Sequence, residues 1–383
     1  MPAATDRPPL AVRHTRAREL MARAGVTRLA VTSPPNVTWL TGFDGSTACA
    51  VVEPDRVVLV TDRRYAEAAT ALAADGAMSL VLVEQTYDET LASLIAAGAA
   101  PAGIEAGHLT VQRQRWLAAV LAAGGRGHGA LVPTMDVIEA GRLVKDAWEI
   151  ERLREAGRRI SAVAIGALAD LAPGQREQDV AQALEAGLRR AGFTRPAFDT
   201  IVASGPRAAL PHGRASDRTM AAGDLVVLDF GGVYGGYCVD LTRTVVLGAP
   251  TAEAARVHGA VAEAQQAAIA ALAPGVAVSE VDQAARAVLA RHGLADRFVH
   301  GTGHGLGLEV HEAPRVGPAR PAPHAPLPGT VVLPDVLAAG MVVTIEPGAY
   351  IPGWGGVRIE DDLLVTATGA EWLTRVPVML SVH

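Results

Sequence analysis

Residues 300–312 of this 383-residue chain read HGTGHGLGLEVHE, in which three histidines are interleaved with four alternating glycines. A nucleotide-binding loop needs glycines spaced G-x-G-x-x-G between a strand and a helix, and the spacing here is different. A helical zinc site is also disfavoured, because glycine at this density destabilises a helix. In an extended strand, residues an even number apart share a face, so His300 and His304 are predicted to point the same way.

The glycines leave backbone without side chains beside these histidines, which gives a ligand room to approach. His311 follows His304 by seven positions and would point away from it in a regular strand. A turn or bulge between Gly305 and Val310 is therefore required if His311 faces the same site. A single histidine is usually solvated or hydrogen-bonded in a structural role, so the residues around this stretch decide its function.

Four acidic residues lie on predicted strands, where a buried charge is costly unless it is paired or metal-bound. They occur in LVVLDF, YCVDLTRT, VVTIEPGAY and GGVRIEDD, and are Asp229, Asp240, Glu346 and Glu360. Taken singly, each is compatible with a water-exposed edge or turn carboxylate. Together with His304 they form a ligand set that suits Mn²⁺, Mg²⁺, Co²⁺ or Zn²⁺, and four carboxylates balance two divalent cations. Such a pair activates water as a nucleophile and polarises a carbonyl group.

Composition restricts the partners of the chain. Its 34 Lys and Arg against 40 Asp and Glu give a net charge of −6, so neither nucleic acid nor an anionic membrane is expected as a partner. Cys49 and Cys238 are too few for a disulfide framework. The amino terminus lacks an apolar secretion signal, and no apolar run is long enough to span a bilayer. We therefore expect a cytoplasmic protein.

The pattern of elements predicts two domains, residues 1–140 and 141–383. Helices and strands alternate in the first, which indicates a smaller α/β domain. In the second they come in blocks, which indicates an α+β domain with an antiparallel sheet. The predicted helices of the second domain lie at 147–172, 177–192, 252–273 and 278–292, and its later strands lie around 300–312, 341–346 and 356–366.

The segments LDFGG, DLTRT, HGTGHGLGLEVHE, TIEPG and VRIED resemble, in order and spacing, the five metal-ligand motifs of the pita-bread metallopeptidases. The aspartates are eleven positions apart and the glutamates fourteen. The likeness is closest to the proline-specific branch, the Xaa-Pro dipeptidases (prolidases) and Xaa-Pro aminopeptidases. SPPNVTWLTGFDGS and VLVTDRRY also resemble the first domain of that branch. The resemblance implies a creatinase-like amino-terminal α/β domain followed by a pita-bread (creatinase/aminopeptidase-like) catalytic domain.

The resemblance also implies a role for each ligand. Asp229 would chelate one metal ion, His304 and Glu346 would hold the other, and Asp240 and Glu360 would bridge them. Mn²⁺ is the expected metal, with Co²⁺ or Zn²⁺ as alternatives, and a hydroxide bridging the two ions would attack the peptide bond. Glu346 would take the proton from the metal-bound water, whose pKa the cations depress toward neutrality.

Four further positions match residues that surround the metal site in the family, and strand geometry adds Arg358 as a fifth. His212 in LPHG, His300 and His311 would hydrogen-bond the substrate and stabilise the tetrahedral intermediate. Arg358, two residues before Glu360, would share its face and orient a ligand carboxylate or the substrate, unless it is a surface arginine. Arg315 in HEAPR corresponds to an arginine with which prolidases of this family can bind the free carboxylate of proline.

The resemblance leaves the reaction partly open. We expect an Xaa-Pro dipeptidase acting on short proline peptides, with an Xaa-Pro aminopeptidase acting on longer peptides as the alternative, because HEAPR is shared by shorter aminopeptidase-type relatives. A non-catalytic binding module should have lost ligands, and a creatinase-like hydrolase would not need the acidic set. Methionine aminopeptidases usually lack such a first domain. By resemblance, a homodimer is expected.

One segment departs from the family pattern. Residues 318–334, PARPAPHAPLPGTVVLP, lengthen a connection that is usually short, and their prolines preclude a helix or a central strand. Because this loop joins the strand of His311 to that of Glu346, we expect it near the active-site mouth, where it would favour short peptides. His324 within it is expected to be solvated.

Overall fold

The computed structural model describes residues 7–127, 129–319 and 326–382. The chain divides into two compact units, one of Met1–Arg142 with Ala322–Leu333 and the other of Leu143–Pro321 with Pro334–His383. The prediction for His324 concerns a position outside the described residues. None of the helices in the described ranges is both long and apolar enough to cross a membrane.

The first unit is an α/β fold, as predicted. Its strands are β1 Leu29–Val31, β2 Cys49–Val52, β3 Val57–Thr61, β4 Ser79–Leu82, β5 Ala102–Glu105 and β6 Leu131–Thr134. They form one sheet in the order β4-β3-β2-β1-β5-β6, with β2 antiparallel to β1 and β3 and the other neighbours parallel. The helices are α1 Leu10–Arg23, α2 Pro34–Thr41, α3 Ala66–Ala73, α4 Tyr87–Ala97, α5 Val111–Ala123 and α6 Val137–Arg142. Strands β2 and β3 are buried along their whole length, as expected where helices cover a largely parallel sheet.

The second unit begins with a helix that its sequence specifies clearly. Asp146 caps the first turn by accepting from the Glu149 amide, and Glu149 reaches back to the Asp146 amide, which completes a capping box. The helices of this unit are α7 Ala147–Asp170, α8 Glu177–Arg190, α9 Ala252–Ala270 and α10 Val278–Arg291. All four begin at the predicted positions and end one or two residues early, apart from α9, which ends three residues early.

The strands of the second unit form antiparallel sheets, as predicted. They are β7 Arg195–Pro196, β8 Ile201–Ser204, β9 Leu225–Tyr234, β10 Tyr237–Leu247, β11 Gly303–Gly305, β12 Glu312–Val316, β13 Val342–Ile345, β14 Gly348–Ile351, β15 Gly355–Arg358, β16 Asp361–Thr366, β17 Gly369–Trp372 and β18 Ser381–Val382. One sheet has the order β18-β10-β9-β7, with β8 also paired to β9, and a second has the order β12-β11-β13-β16-β17. The pair β14-β15 is separate, and β10-β18 is the parallel pairing among these strands.

Strand β9 is covered on both faces because alternate side chains enter two different cores. Leu225 and Val227 pack in a cluster that contains residues of α9 and α10. Val226 and Leu228 pack in another cluster that contains residues of α7 and α8. This alternation follows from the two-residue period of a strand, and it buries the long β9-β10 hairpin on which the first two predicted ligands lie.

Two predicted strands are interrupted in the structure. The stretch 300–312 forms only β11 and the first residue of β12, with a register shift between His304 and Gly305. Residues 356–366 are divided between β15 and β16. At that break the Glu360 amide donates to the Thr242 carbonyl on β10 at 3.1 Å. Glu360 therefore pairs with the sheet that contains β10, and the predicted strand is interrupted there.

The described part of the proline-rich stretch pairs inside the first unit. Met135, just after β6, donates its amide to the Gly329 carbonyl and accepts from the Val331 amide, at 3.2 and 3.0 Å. Gly329 has a φ of +85°, and a Cβ there would lie 2.4 Å from the Pro133 carbonyl oxygen. Residues 326–333 are thus anchored to this unit by specific backbone bonds.

Candidate metal centre and active site

A cavity of about 590 Å³ opens beside the strands of the second unit. Its described lining residues all belong to that unit. They include all ten positions that the sequence predicts for the site, namely His212, Asp229, Asp240, His300, His304, His311, Arg315, Glu346, Arg358 and Glu360.

The β9-β10 hairpin explains the spacing of the two aspartates. Asp229 pairs with Thr242 across the hairpin, and Asp240 pairs with Gly231. Because Asp240 and Thr242 are two residues apart on one strand, Asp229 and Asp240 project from the same face of the hairpin, as diagonal neighbours. Both are buried.

The ring of His304 is oriented for metal ligation through its Nε2 atom. Its Nδ1 atom donates to the Gly305 carbonyl at 3.0 Å, which fixes the tautomer. Nε2 lies 3.7 Å from Glu346 Oε1 and 4.0 Å from Asp240 Oδ2. Burial lowers the pKa of His304 to about 4, so the ring is neutral near pH 7 and its Nε2 lone pair faces the carboxylates.

Three of the predicted ligands fit a cation directly. Asp240, His304 and Glu360 each present one ligand atom, and these atoms all lie within 4.8 Å of one another. Among the described residues, Asp240 Oδ1 and Glu360 Oε1 are buried without a hydrogen-bond partner. Such orphaned oxygens are costly in a folded protein, and a divalent cation would satisfy them.

Electrostatics in the absence of metal support the same interpretation. Burial raises the pKa of Asp240 well above its ordinary value, and the charges of Glu360 and Asp229 raise it further. Burial and the nearby charges of Glu346 and Asp229 raise the pKa of Glu360 likewise. Carboxyls crowded in this way resist ionisation together. Two divalent cations, held by the four carboxylates and His304, would relieve that repulsion.

Arg358 lies in the interior of the site, so the surface alternative is wrong. Its Nη2 atom forms an ion pair with Asp229 Oδ2, and both side chains are buried. Nη1 donates to the Tyr350 hydroxyl at 2.7 Å and to the Pro211 carbonyl at 3.3 Å, while Nε donates to Thr242 Oγ1 at 3.3 Å. The guanidinium therefore joins four segments around the predicted ligands.

Tyr350 is a site residue that our sequence reasoning missed. Its hydroxyl accepts from Arg358, which leaves the O–H free to donate to His300 Nε2 at 2.9 Å. His300 Nδ1 donates to the Gly301 carbonyl at 2.8 Å, so both ring nitrogens are engaged within the protein. Burial lowers the pKa of His300 to about 4, which keeps the ring neutral. The available signal was the tyrosine of EPGAY, four residues after Glu346.

Thr242 was missed as well, although its position carried a signal. It follows Asp240 by two residues on β10 and therefore shares the face of that ligand. Its hydroxyl donates to Glu360 Oε2 at 2.6 Å. This bond occupies one carboxylate oxygen of Glu360 and leaves Oε1 directed away from it.

His311 reaches the site because the chain bends after β11. The ring centroids of His304 and His311 are 4.4 Å apart, and bends run through residues 307–311. The Cys238 amide donates to the Gly307 carbonyl at 2.7 Å and holds the bend. Next to it, a buried Lys145–Glu312 pair at 3.1 Å fixes the start of β12.

Arg315 differs from Arg358 in being exposed at the cavity. Its Cα pairs across the β11-β12 ladder with that of His304. Within the described ranges its guanidinium makes no ion pair or hydrogen bond. A Cβ at Gly317 would lie 2.8 Å from its Nη1 atom, so that glycine makes room for it. Its exposed side chain places a positive charge at the cavity.

Fold and site together define a metallopeptidase class, a creatinase-like α/β domain followed by a pita-bread domain with a buried acidic cluster. The chain belongs to Metallopeptidase family M24, whose model matches residues 151–367, and the Creatinase/Prolidase N-terminal domain model matches residues 13–144. It is therefore a peptidase, and metallopeptidases of this family use divalent metal ions.

Similar proteins cover almost the whole chain. An uncharacterized peptidase, YqhT, of Bacillus subtilis is 38% identical over 365 residues, which span 94% of this chain and 97% of that protein. The structure of an Xaa-Pro dipeptidase from Bacillus anthracis has a TM-score of 0.88 at 34% identity and covers 97% of this chain and 99% of its own. An X-Pro aminopeptidase structure from Thermotoga maritima has a TM-score of 0.81 at 30% identity and covers 95% and 99%.

The stability of the metal-free protein should depend on pH through its site carboxyls. Burial raises the pKa of Glu346 from 4.5 to about 8, so between these values the folded state holds a proton that the unfolded state has lost. The free energy of unfolding therefore falls as pH rises through this window. His300 and His304 have folded pKa values of about 4, so they make the free energy of unfolding rise with pH, but only between about pH 4 and pH 6.5.

Between pH 6.5 and 8, we expect the Tm of metal-free wild-type protein to fall by about 2–3 °C more than that of Glu346→Gln. Saturating divalent cation should reverse the wild-type loss, because it binds the folded state. Thermal unfolding with and without chelator measures both effects. Parallel Tm curves for the wild-type and variant proteins would contradict the raised pKa.

Proposed function

We propose that this chain is a two-metal Xaa-Pro dipeptidase whose catalytic domain is the second unit, within the predicted range 141–383. The observation that carries the proposal is the exposed Arg315 at the cavity, across a strand pair from His304 and without an ion-pair partner among the described residues. In a dipeptide, the carboxylate of proline lies one residue beyond the scissile bond. The Cα atoms of Arg315 and His304 are cross-strand partners about 5 Å apart, so both side chains leave the same face of the strand pair. An arginine placed there can bind that carboxylate while the scissile bond lies beside His304.

The metal ligands in this proposal are those of the resemblance. Asp229, Asp240, His304, Glu346 and Glu360 would hold two divalent ions, with Mn²⁺ as the proposed metal and Co²⁺ or Zn²⁺ as alternatives. When bound, two divalent cations supply Lewis acidity and make water a nucleophile at neutral pH. The orphaned oxygens of Asp240 and Glu360 support this arrangement.

The protein residues have separate tasks around the scissile bond. Glu346 accepts a proton from the attacking water at a carboxylate oxygen and returns it to the proline nitrogen as the bond breaks. His212 and His311 are exposed at the cavity and donate to the substrate carbonyl oxygen. His300 has both nitrogens engaged, and its task is to hold Tyr350 and, through it, Arg358.

Replacing Arg315 by methionine tests the carboxylate site. We expect the KM for Xaa-Pro to rise about 10- to 100-fold, which is the loss of a charged hydrogen-bonded pair. The KM for the Xaa-Pro amide should change by less than about 3-fold, because the amide lacks the carboxylate and never forms that bond. Steady-state kinetics on matched dipeptides and amides measures the difference.

The matched control is Arg214→Met, which removes another exposed guanidinium at the same cavity, one that pairs with Asp199 at 3.2 Å. This variant should affect both substrates alike. An equal loss on the dipeptide and the amide in Arg315→Met would refute the proposed carboxylate site. That result would favour the second candidate, an Xaa-Pro aminopeptidase, which the similarity to the X-Pro aminopeptidase of Thermotoga maritima also supports.

We also propose that the enzyme works in the cytoplasm as a homodimer. Cys49 and Cys238 are both free and buried, which is compatible with a reducing compartment. Sedimentation equilibrium of the full chain tests the dimer, and a monomeric mass across the micromolar range would contradict it.

A further inference from the structure

Helix α10 carries an acid–base pair that faces the backbone around His300. Asp282 and Arg286 are four residues apart, and Asp282 Oδ2 accepts from Arg286 Nε at 2.7 Å. The Asp282 side chain is 2% exposed and the Arg286 side chain 31%. Pairs at this spacing often stabilise only the helix on which they lie, so the other contacts of the pair decide its role.

Arg286 binds the chain immediately before His300. Its Nη1 atom donates to the Phe298 carbonyl at 3.1 Å, and its Nη2 atom donates to the His300 carbonyl. Its Cζ atom lies 4.4 Å from the Phe298 ring centroid, and that ring meets the His300 ring edge-on at 5.0 Å. The planar fork of arginine thus binds two carbonyls two residues apart with donors in a fixed geometry, which the flexible ammonium of lysine lacks.

Asp282 binds the chain immediately after His300. Its Oδ1 atom accepts from the Thr302 hydroxyl at 2.8 Å and from the Thr302 amide at 3.2 Å. The Thr302 carbonyl in turn accepts from the Glu346 amide at 2.7 Å. The pair therefore holds the backbone on both sides of His300, and one of its contacts leads directly to a predicted metal ligand.

We propose that Asp282 and Arg286 are positioning residues that set the orientation of His300 and, through Tyr350, of Arg358. The hydrogen bonds form one path, from Arg286 to His300, then to Tyr350, Arg358 and Asp229. A largely buried ion pair stabilises a fold no better than apolar side chains of similar size, whereas its fixed geometry can orient what it binds. This inference rests on the proposed function.

The test compares Arg286→Met and Arg286→Lys with Arg291→Met, a matched control on the same helix. Arg291 pairs at the surface with Glu263 and contacts none of this path. We expect Arg286→Met to lower kcat for Xaa-Pro about 10- to 100-fold and to change KM by less than about 3-fold. A loss of this size is usual when a residue that orients a site residue is replaced. Arg286→Lys should recover part of kcat, because its ammonium can still donate to one carbonyl.

A second measurement reports on the path without requiring catalysis. In protein labelled with nitrogen-15 on histidine, Arg286→Met should shift the ring nitrogen signals of His300. The signals of His14 and His258, which are buried and bonded elsewhere, should keep their wild-type positions. Arg291→Met should leave all three unchanged.

Two results would overturn the inference: an unchanged His300 signal, or a kcat loss in Arg286→Met no larger than in Arg291→Met. If Arg286→Met does not fold, Arg286→Lys provides both comparisons. If the wild-type enzyme does not hydrolyse Xaa-Pro, the proposed function fails, and the His300 signal still decides whether the pair orients that ring.

Discussion

Replacing Glu360 by glutamine is expected to lower kcat/KM for Xaa-Pro hydrolysis by about 10³-fold or more. This loss exceeds the 10- to 100-fold that is typical when a residue hydrogen-bonded to a metal ligand is replaced. Glu360 has one carboxylate oxygen bonded to Thr242 and another that is buried without a partner among the described residues. A carboxylate can bridge two cations through these oxygens. An amide has one oxygen and directs N–H donors where the second should bind.

The same substitution should act differently on the metal-free protein. Removing a carboxyl whose pKa is raised by burial and by neighbouring acids relieves repulsion, so the metal-free Tm should hold or rise. The increase in Tm on adding Mn²⁺ should disappear. Thermal unfolding and calorimetric metal titration measure both, with the surface variant Glu253→Gln as control. A Glu360→Gln protein that still binds two ions would contradict the assignment.

Replacing Arg358 by methionine is expected to lower both activity and stability. The variant leaves the Asp229 carboxylate buried without its ion-pair partner, and breaking a buried pair in this way costs about 3–5 kcal/mol of unfolding free energy. Activity should fall about 100-fold, because Tyr350 and Asp229 both lose the group that orients them. Urea unfolding and kinetics on Xaa-Pro measure the two effects.

Arg358→Lys separates charge from geometry. Lysine keeps the positive charge beside Asp229, so most of the stability should return. It lacks the fork that reaches Asp229, Tyr350 and Thr242 together, so kcat should stay well below the wild-type value. Wild-type kcat in the lysine variant would show that only the charge matters.

The ligand set could be predicted from the sequence because charged side chains are unusual at buried strand positions. Asp229, Asp240, Glu346 and Glu360 are acidic residues within strand patterns, and a buried charge there needs a partner. The structure brings all four to one cavity with His304. Hydroxyl side chains are not unusual in this way, which is why Tyr350 and Thr242 gave no comparable signal.

Long-range pairing accounts for most of what the sequence did not predict. The strand predicted for 300–312 is interrupted, because the register of β11 depends on distant partners in β12 and β13. Both nitrogens of His300 are occupied through contacts with Gly301 and with Tyr350, a residue fifty positions later. Asp282 and Arg286 look in sequence like an ordinary helical ion pair, and only their contacts with residues 298–302 distinguish them.

The proline-rich stretch illustrates the same limit. Its composition excluded helix and central strand, and neither occurs in its described residues, 318–319 and 326–334. Its place between two site strands suggested the active-site mouth. Backbone bonds to Met135 anchor residues 326–333 to the first unit, and no local pattern predicts a partner so far away in the chain. A position at the active-site mouth stays a prediction.

The central claim, a metal-dependent Xaa-Pro dipeptidase, is tested most directly by one hydrolysis panel. Metal-free protein is supplied in turn with Mn²⁺, Co²⁺ or Zn²⁺ and given Xaa-Pro dipeptides and Xaa-Pro-Yaa tripeptides. We expect no hydrolysis without metal, and with Mn²⁺ we expect dipeptides to be cleaved faster than tripeptides. Equal hydrolysis of Xaa-Pro with and without divalent metal, or none with any of the three ions, would contradict the claim.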